Sequence, residues 1–443
     1  DPSTYATYSM FLLSGNVLVF VIAGGLDQAV TRYFYQSGDG CFELFRKCVP
    51  PVAGMICIVA VVAWVFREFF SRLVFGKSDA LLLGLLVVYA AVLAENRFSM
   101  LLLRLGSRAR AYSIVSVFSK IVYLAVSLAL LLVVSLRHDL SLAVGLVASA
   151  VSVTVVAYSL NRLKVPRVTR SRSGVVSYRD LLSFAWPVAA NNVVMAVFQM
   201  VDKFAVGRYL SRAELGVYTA ASVFQSLILA FAVAFGNFFV PLAMDMRSRD
   251  PMNTSFVTRM GRFATAYAML AAVVLIMSRG LLVNVLGPKY GATVEVLPVL
   301  IVIACMSVIG DTVAIGIAFL NRTHYNLLAG LLALASCALL SSVLVPILGI
   351  RGAALSVLVA TWFAFAIRLR FSLRLFPAAY GVRRMVGTIA LVSICAIALS
   401  FGLPELLGAC VCFITGVLIV FSYPAETYRY WRSQFRAFLK RGS

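Results

Sequence analysis

Lys120 lies ten residues past Arg110, inside an unbroken apolar run. If that run is a helix, the ammonium sits about 15 Å beyond its start. A lone charge at the centre of a bilayer costs about 2.5–3.5 kcal/mol, so such residues normally face a partner or a cavity. Other polar groups share this setting. Arg32 closes the first apolar run, Glu95-Asn96-Arg97 interrupts the third, and Asp311 interrupts a later one. The run 182–204 contains Pro187, Asn191, Asn192, Gln199, Asp202 and Lys203. Arginine grips phosphate through two parallel donors, lysine offers a point charge, and Asn or Gln amides bond hydroxyls. The polar groups of the run 182–204 read as one wall of a transport pathway.

Nothing in the chain points to bond-making. The two histidines, His138 and His324, are far apart, and the eight cysteines are scattered without zinc spacing. Cysteine within an apolar run is usually a small packing residue. No catalytic residue, metal site or cofactor is expected.

Each polar residue has competing roles. Lys120 contacts phosphate in a cavity, pairs with Glu95 on a neighbouring helix, or snorkels to the interface. Arg32 is an interfacial anchor or captures ligand. Asp27 holds Arg32 or caps its helix. Glu95 and Asp311 interrupt their runs at similar depth. They pair across a cleft as a gate, carry a coupling proton or sodium ion, or bond within their own halves. Asp202 and Lys203, as neighbours on a helix, point about 100° apart. They are expected not to pair directly, one facing the cleft and the other a neighbouring helix. Asn191, Asn192 and Gln199 are ligand contacts or interhelical glue, with Asn192 and Gln199 on one face. Pro187 loosens its helix for gating or packing.

The elements that hold these residues are membrane helices. The chain has 443 residues, 62% hydrophobic and only 13% charged, against roughly 25% charged in soluble domains. About 13 apolar segments are each long enough to cross a bilayer. The loops are short, and the longest, the basic segment 161–180, is too small to fold alone. Continuous apolar spans exclude a nucleic-acid binder despite the net charge of +22. The basic residues instead cluster on alternate loops: Arg104 to Arg110, Arg162 to Arg179, Arg247 to Arg262, Arg368 to Arg384, and the C-terminal tail. The positive-inside rule puts that tail in the cytoplasm and Asp1 outside. This implies that one N-terminal helix is absent from the sequence, the intact protein having about 14 spans.

The chain repeats itself at an offset of about 210 residues. Ala6-Thr7-Tyr8-Ser9 matches Gly216-Val217-Tyr218-Thr219, and Gly25-Leu26-Asp27 matches Phe235-Gly236-Asn237. Leu73-Val74-Phe75-Gly76 matches Asn284-Val285-Leu286-Gly287, and Leu105 to Tyr112 matches Leu320 to Tyr325. The offset covers an even number of spans, so the copies share an orientation, as in transporters whose two parallel lobes rock about a central cleft. The expected architecture is an all-α polytopic membrane protein with two six-helix lobes, the first lacking its first helix, plus two C-terminal helices. The expected limits are 1–160 for the first lobe and 161–180 for a basic linker. The second lobe is expected over 181–374, and an extra helix pair with a basic tail over 375–443.

Several stretches carry a family likeness: Tyr8-Ser9, Gly25-Leu26-Asp27 through Arg32-Tyr33-Phe34, and Phe184-Ala185-Trp186-Pro187 through Asp202-Lys203. Glu214-Leu215-Gly216-Val217-Tyr218 and Phe239-Val240-Pro241 add to it. On these the chain resembles, over nearly its whole length, the oligosaccharide-lipid flippases of the MOP superfamily, in particular the Wzx type of O-antigen, lipopolysaccharide and capsule biosynthesis. The resemblance implies a twelve-plus-two helix fold and a cationic central cavity. It also implies movement of a polyprenyl-diphosphate-linked oligosaccharide across the cytoplasmic membrane by alternating access. It places Arg32 beside the cytoplasmic mouth. Arg32, Arg97, Lys120, Asn191, Asn192, Gln199 and Lys203 are then substrate-binding candidates. Asp27, Glu95, Asp202 and Asp311 are gating or ion-coupling candidates, tied to a proton or sodium gradient or the membrane potential. Expected partners are the lipid-linked substrate, membrane lipids and other polysaccharide-assembly membrane proteins. Competing readings are a lipid II flippase or multidrug cation exporter of the same superfamily, and a membrane glycan polymerase or ligase. A cation exporter favours an acidic cleft. A polymerase or ligase needs a large outer loop or a paired-Asp motif that is not visible here.

Overall fold

A computed structural model describes residues 1–33, 41–105, 109–132, 138–162, 177–250, 254–320, 322 and 324–423. The basic tail from 424 onward and linker residues 163–176 lie outside the described residues. All the regular structure described is helical, and 12 helices are long and apolar enough to cross a membrane. The thirteenth expected segment forms the helix Glu405–Ser422, of which Cys410–Ser422 counts as a shorter apolar helix. The protein is a multi-pass membrane protein. Its described residues form two compact units, 3–200 and 201–443 with residues 1 and 2. The division falls inside one helix, Tyr178–Tyr209, 20 residues beyond the end of the basic segment 161–180.

The first unit contains α1 (Pro2–Ala23), α2 (Leu26–Tyr33), α3 (Cys41–Val65), α4 (Arg67–Phe75), α5 (Ala80–Leu105), α6 (Ala109–Leu132), α7 (His138–Arg162) and the start of α8 (Tyr178–Tyr209). Gly24 and Gly25, at φ 52° and 70°, separate α1 from α2. Left-handed backbone is cheap only for glycine. Gly25 is doubly constrained, because a Cβ there would collide with the Ala185 carbonyl of α8. The core joins Val19, Ile22, Leu26 and Ala29 to Leu44 and Cys48 of α3, Ala90 and Ala94 of α5, and Leu181 and Ala185 of α8. Small residues at these positions let helix backbones approach closely, as membrane helices require. Buried Asn96 pins α5 to α7: its Nδ2 donates to the Ala150 carbonyl at 3.1 Å and its Oδ1 accepts from Thr154 at 2.8 Å.

The second unit holds the rest of α8, then α9 (Arg212–Arg249), α10 (Ser255–Met277), α11 (Arg279–Leu286) and a 3₁₀ turn (Pro288–Glu295). It continues with α12 (Leu297–Val313), α13 (Ile315–Phe319), α14 (His324–Leu348), α15 (Ile350–Leu375), α16 (Val382–Ser400) and α17 (Glu405–Ser422). Ser211 and Glu214 form a reciprocal capping box that starts α9. The apolar α12 is buried nearly all round, packed by α9, α10, α15 and α16. Where it breaks at Ala314, Ser372 of α15 donates to the Val313 carbonyl and accepts from the Gly316 amide at 3.2 Å. The C-terminal pair packs on this unit, α16 and α17 both against α10.

The repeat is present in the element order. Matched helices start at 2 and 212, 41 and 255, 67 and 279, 80 and 297, 109 and 324, 138 and 350. In the first copy α5 and α6 pack on α7; in the second α12 and α14 pack on α15. Gly76 and Gly287, matched in sequence, both end a short helix with positive φ, 66° and 88°. The copies differ where Gly25-Leu26-Asp27 matches Phe235-Gly236-Asn237. α1 breaks at two consecutive positive-φ glycines, whereas α9 runs on through the single Gly236. The match of Leu105–Tyr112 to Leu320–Tyr325 rests partly on 106–108, 321 and 323, which lie outside the described residues.

Candidate functional site

Several of the polar residues read from the sequence are held in ion pairs, each inside its own unit. In the first unit, α2 buries Asp27 in its first turn, where Arg97 of α5 donates from Nη2 at 2.7 Å and Nε at 3.2 Å. The guanidinium also lies 4.6 Å from the Phe20 ring centroid. The expectation that Asp27 holds Arg32 is therefore corrected. Five residues along a helix turn the side chain through about 140°, so Asp27 faces α5 while Arg32 projects from the other side. Arg32 is exposed, its guanidinium 4.5 Å from the Phe184 ring and 5.7 Å from that of Tyr33. Among the described residues no acid pairs with it.

Glu95 is exposed and its neighbour Asn96 buried, as successive positions of one helix demand. Lys120 is exposed on α6. Among the described residues Glu95 and Lys120 do not form an ion pair, so the pairing considered for Lys120 is not found. In α8, Asn191 and Asn192 are half-buried and Gln199 is exposed. The Asn191 Oδ1 is buried without a hydrogen-bond partner, a state that a polar ligand would relieve. The helix itself continues through Pro187.

The second unit overturns another expectation. Lys203 does pair with its neighbour Asp202, Nζ lying 3.1 and 2.9 Å from the two carboxylate oxygens. The angular rule describes where each Cβ points; the four-carbon lysine stem folds back across that angle. Both residues are buried. Tyr218 completes the group, its hydroxyl donating to Asp202 Oδ2 at 2.7 Å and its ring lying 5.6 Å from Nζ. Tyr218 stood out in the sequence through its repeat match and a family-like stretch, and nothing there marked it as a partner of Asp202. Asp311 meets Arg368 of α15 at 3.4 Å, the acid well exposed and the arginine mostly buried. Arg351 bonds Glu295 at 3.0 Å, and Arg247 lies against Phe319 and Phe376, 4.8 and 5.2 Å from their rings.

Among the described residues no cluster of His, Cys, Asp and Glu is arranged to hold a metal ion. Among the charged residues read from the sequence, three structural pairs form (Asp27–Arg97, Asp202–Lys203, Asp311–Arg368), Glu95 is exposed, and Arg32 and Lys120 are exposed with no acid partner found among the described residues. Such basic groups can bind an anion.

A family profile described as "Polysaccharide biosynthesis protein" matches residues 2–295. No curated protein sequence matches the chain. Among solved structures it is similar to the lipid II flippase MurJ in an inward closed conformation, with TM-score 0.69 and 15% identity over 94% of this chain and 92% of that one. It is also similar to a multidrug resistance MATE family transporter of the MOP superfamily in an inward-facing conformation, with TM-score 0.67 and 14% identity over 84% and 91% of the two chains. A Vibrio cholerae MATE transporter in its bent form gives TM-score 0.51 and 15% identity over 85% and 88%. At these identities the likeness shows a shared fold.

Proposed function

Because the chain belongs to the polysaccharide biosynthesis protein family, we propose that it is a flippase moving a polyprenyl-diphosphate-linked oligosaccharide across the cytoplasmic membrane by alternating access, and not an enzyme. The observation that carries this reading is Lys120. It is an exposed ammonium in the middle of a membrane-spanning helix, with no acid partner among the described residues. A bare charge at that depth is tolerated where water or a counter-anion reaches it. A diphosphate supplies such an anion, and Arg32 at the end of α2 offers a second contact of the fork type that suits phosphate.

Asp27, Asp202 and Asp311 are each occupied by a basic partner, which argues against the acidic site that a cation exporter of this fold needs. Glu95 is the exposed acid left for coupling to a proton or sodium gradient, the membrane potential being the other source of drive. The basic tail lies on the cytoplasmic side in this reading. Other polysaccharide-assembly membrane proteins supply and consume the substrate.

The test is leaflet exchange by the full-length protein in liposomes loaded with a fluorescent polyprenyl-diphosphate-linked sugar. Exchange well above that of protein-free liposomes is expected, cut about tenfold or more by Lys120→Ala, as loss of a charge-assisted contact implies. Exchange no faster than in protein-free liposomes would reject the proposal.

A further inference from the structure

α1 carries a polar and aromatic line through the membrane. Tyr8, Leu12, Asn16 and Phe20 recur every four residues, which on a helix forms one slowly drifting face. Asn16 is exposed on this face, in mid-span, and among the described residues nothing bonds its amide. Other elements of the same unit bring their polar groups to the line. At one end Arg97 lies against Phe20, 4.6 Å from its ring. At the other, Tyr123 of α6 stacks on Tyr8 with ring centroids 6.1 Å apart and planes 22° apart, and Tyr5 adjoins Tyr8 at 5.8 Å. All three tyrosines are half-buried, and the Tyr8 and Tyr123 side chains also hydrogen-bond to each other.

An interfacial belt accounts for tyrosines at helix ends. It does not account for Tyr123, nine residues from the end of α6, which is about 13 Å along the helix. Lys120 lies one turn from Tyr123 and on the same side of α6. α1 and α6 are the first and fourth spans and so run in opposite directions, which sets Lys120 in depth between the Tyr8–Tyr123 pair and Asn16.

We propose that Tyr8 and Tyr123, with Asn16 beneath them, form a subsite for the sugar ring attached directly to the diphosphate that Lys120 holds. A pyranose has an apolar C–H face flanked by hydroxyls. A half-buried tyrosine ring matches the face, and the Asn16 amide and the tyrosine hydroxyls match the rim. The one-turn separation of Lys120 from Tyr123 corresponds to a phosphate bonded to the ring's anomeric carbon. Both partners are single-turn neighbours on α6, so the spacing is built into the helix and independent of which glycan follows. This inference rests on the proposed function, and it adds that the first sugar, as well as the phosphates, is recognised.

The experiment measures binding of two probes to the purified full-length protein in a sugar-free detergent. One is geranylgeranyl diphosphate; the other is geranylgeranyl diphosphate bearing a single N-acetylglucosamine. Wild type is expected to bind the sugar-bearing probe about tenfold tighter. Tyr8→Leu and Tyr123→Leu are expected to abolish that preference while leaving affinity for the bare diphosphate unchanged. Tyr123→Phe, which keeps the ring, retains most of the preference, and Lys120→Ala weakens both probes alike. A preference that survives in both leucine variants, or equal binding of the two probes by wild type, overturns the subsite alone. Failure of wild type to bind either probe overturns the flippase reading and the subsite with it. The melting temperature of each variant checks that it is folded, and Asn16→Ala, on an exposed position, gives a second test of the same preference if a leucine variant does not fold.

Discussion

Arg97 bonds Asp27 twice through a single carboxylate oxygen, Nη2 at 2.7 Å and Nε at 3.2 Å, while its guanidinium rests on Phe20. The contact ties α5 to the helix that begins just past the Gly24-Gly25 break. It thereby fixes the direction in which α2 leaves α1, and with it the position of Arg32.

Asp27→Ala leaves a guanidinium that is only 31% exposed without its partner. We expect a loss of about 1–3 kcal/mol, read as a lower melting temperature in detergent. Adding Arg97→Ala should recover part of that loss. Strict additivity of the two substitutions would show that the pair is not coupled.

Asp202, Lys203 and Tyr218 are all buried. Tyr218→Phe removes one donor from the carboxylate and should cost about 1–2 kcal/mol. Lys203→Met should cost more, because it strands a buried carboxylate, and Asp202→Asn in the same chain should restore much of the loss. Equal melting temperatures for Lys203→Met and wild type would contradict the pairing.

Gly24 and Gly25 both have positive φ, yet only Gly25 meets α8 closely. Gly24→Ala should cost about 1 kcal/mol from backbone strain alone. Gly25→Ala should be clearly worse, since its methyl would strike the Ala185 carbonyl and lie 2.9 Å from the Ala189 amide nitrogen. Thermal unfolding of the two variants side by side decides the ranking.

Arg32 has no described acid partner and stacks on Phe184 at 4.5 Å. Arg32→Lys keeps the charge and loses the planar fork. In the leaflet-exchange assay it should fall between wild type and Arg32→Ala, the latter slowing exchange about tenfold. An alanine variant as active as wild type would reduce Arg32 to an interfacial anchor.

Much of the fold was legible in the residues. Apolar stretches of bilayer length mark the helices, because backbone groups in lipid must be satisfied within their own segment. The repeat was visible too, down to Gly76 and Gly287, because a positive φ at a helix end restricts its position almost to glycine. The asymmetry between a broken α1 and a continuous α9 followed less directly, resting on two consecutive glycines against one.

Partner choice was another matter. The sequence by itself determined which segments are long and apolar enough to span a membrane and which polar residues fall within them, since both follow from hydropathy and the fixed rise of a helix. Only the tertiary structure decided that Asp27 takes Arg97 from a helix some 70 residues away, that Lys203 folds back onto its own neighbour, and that Tyr123 meets Tyr8. Helical periodicity gives the direction of each Cβ. Which long side chain reaches which group depends on helix packing and on the rotamers of flexible stems, and one-dimensional spacing carries neither.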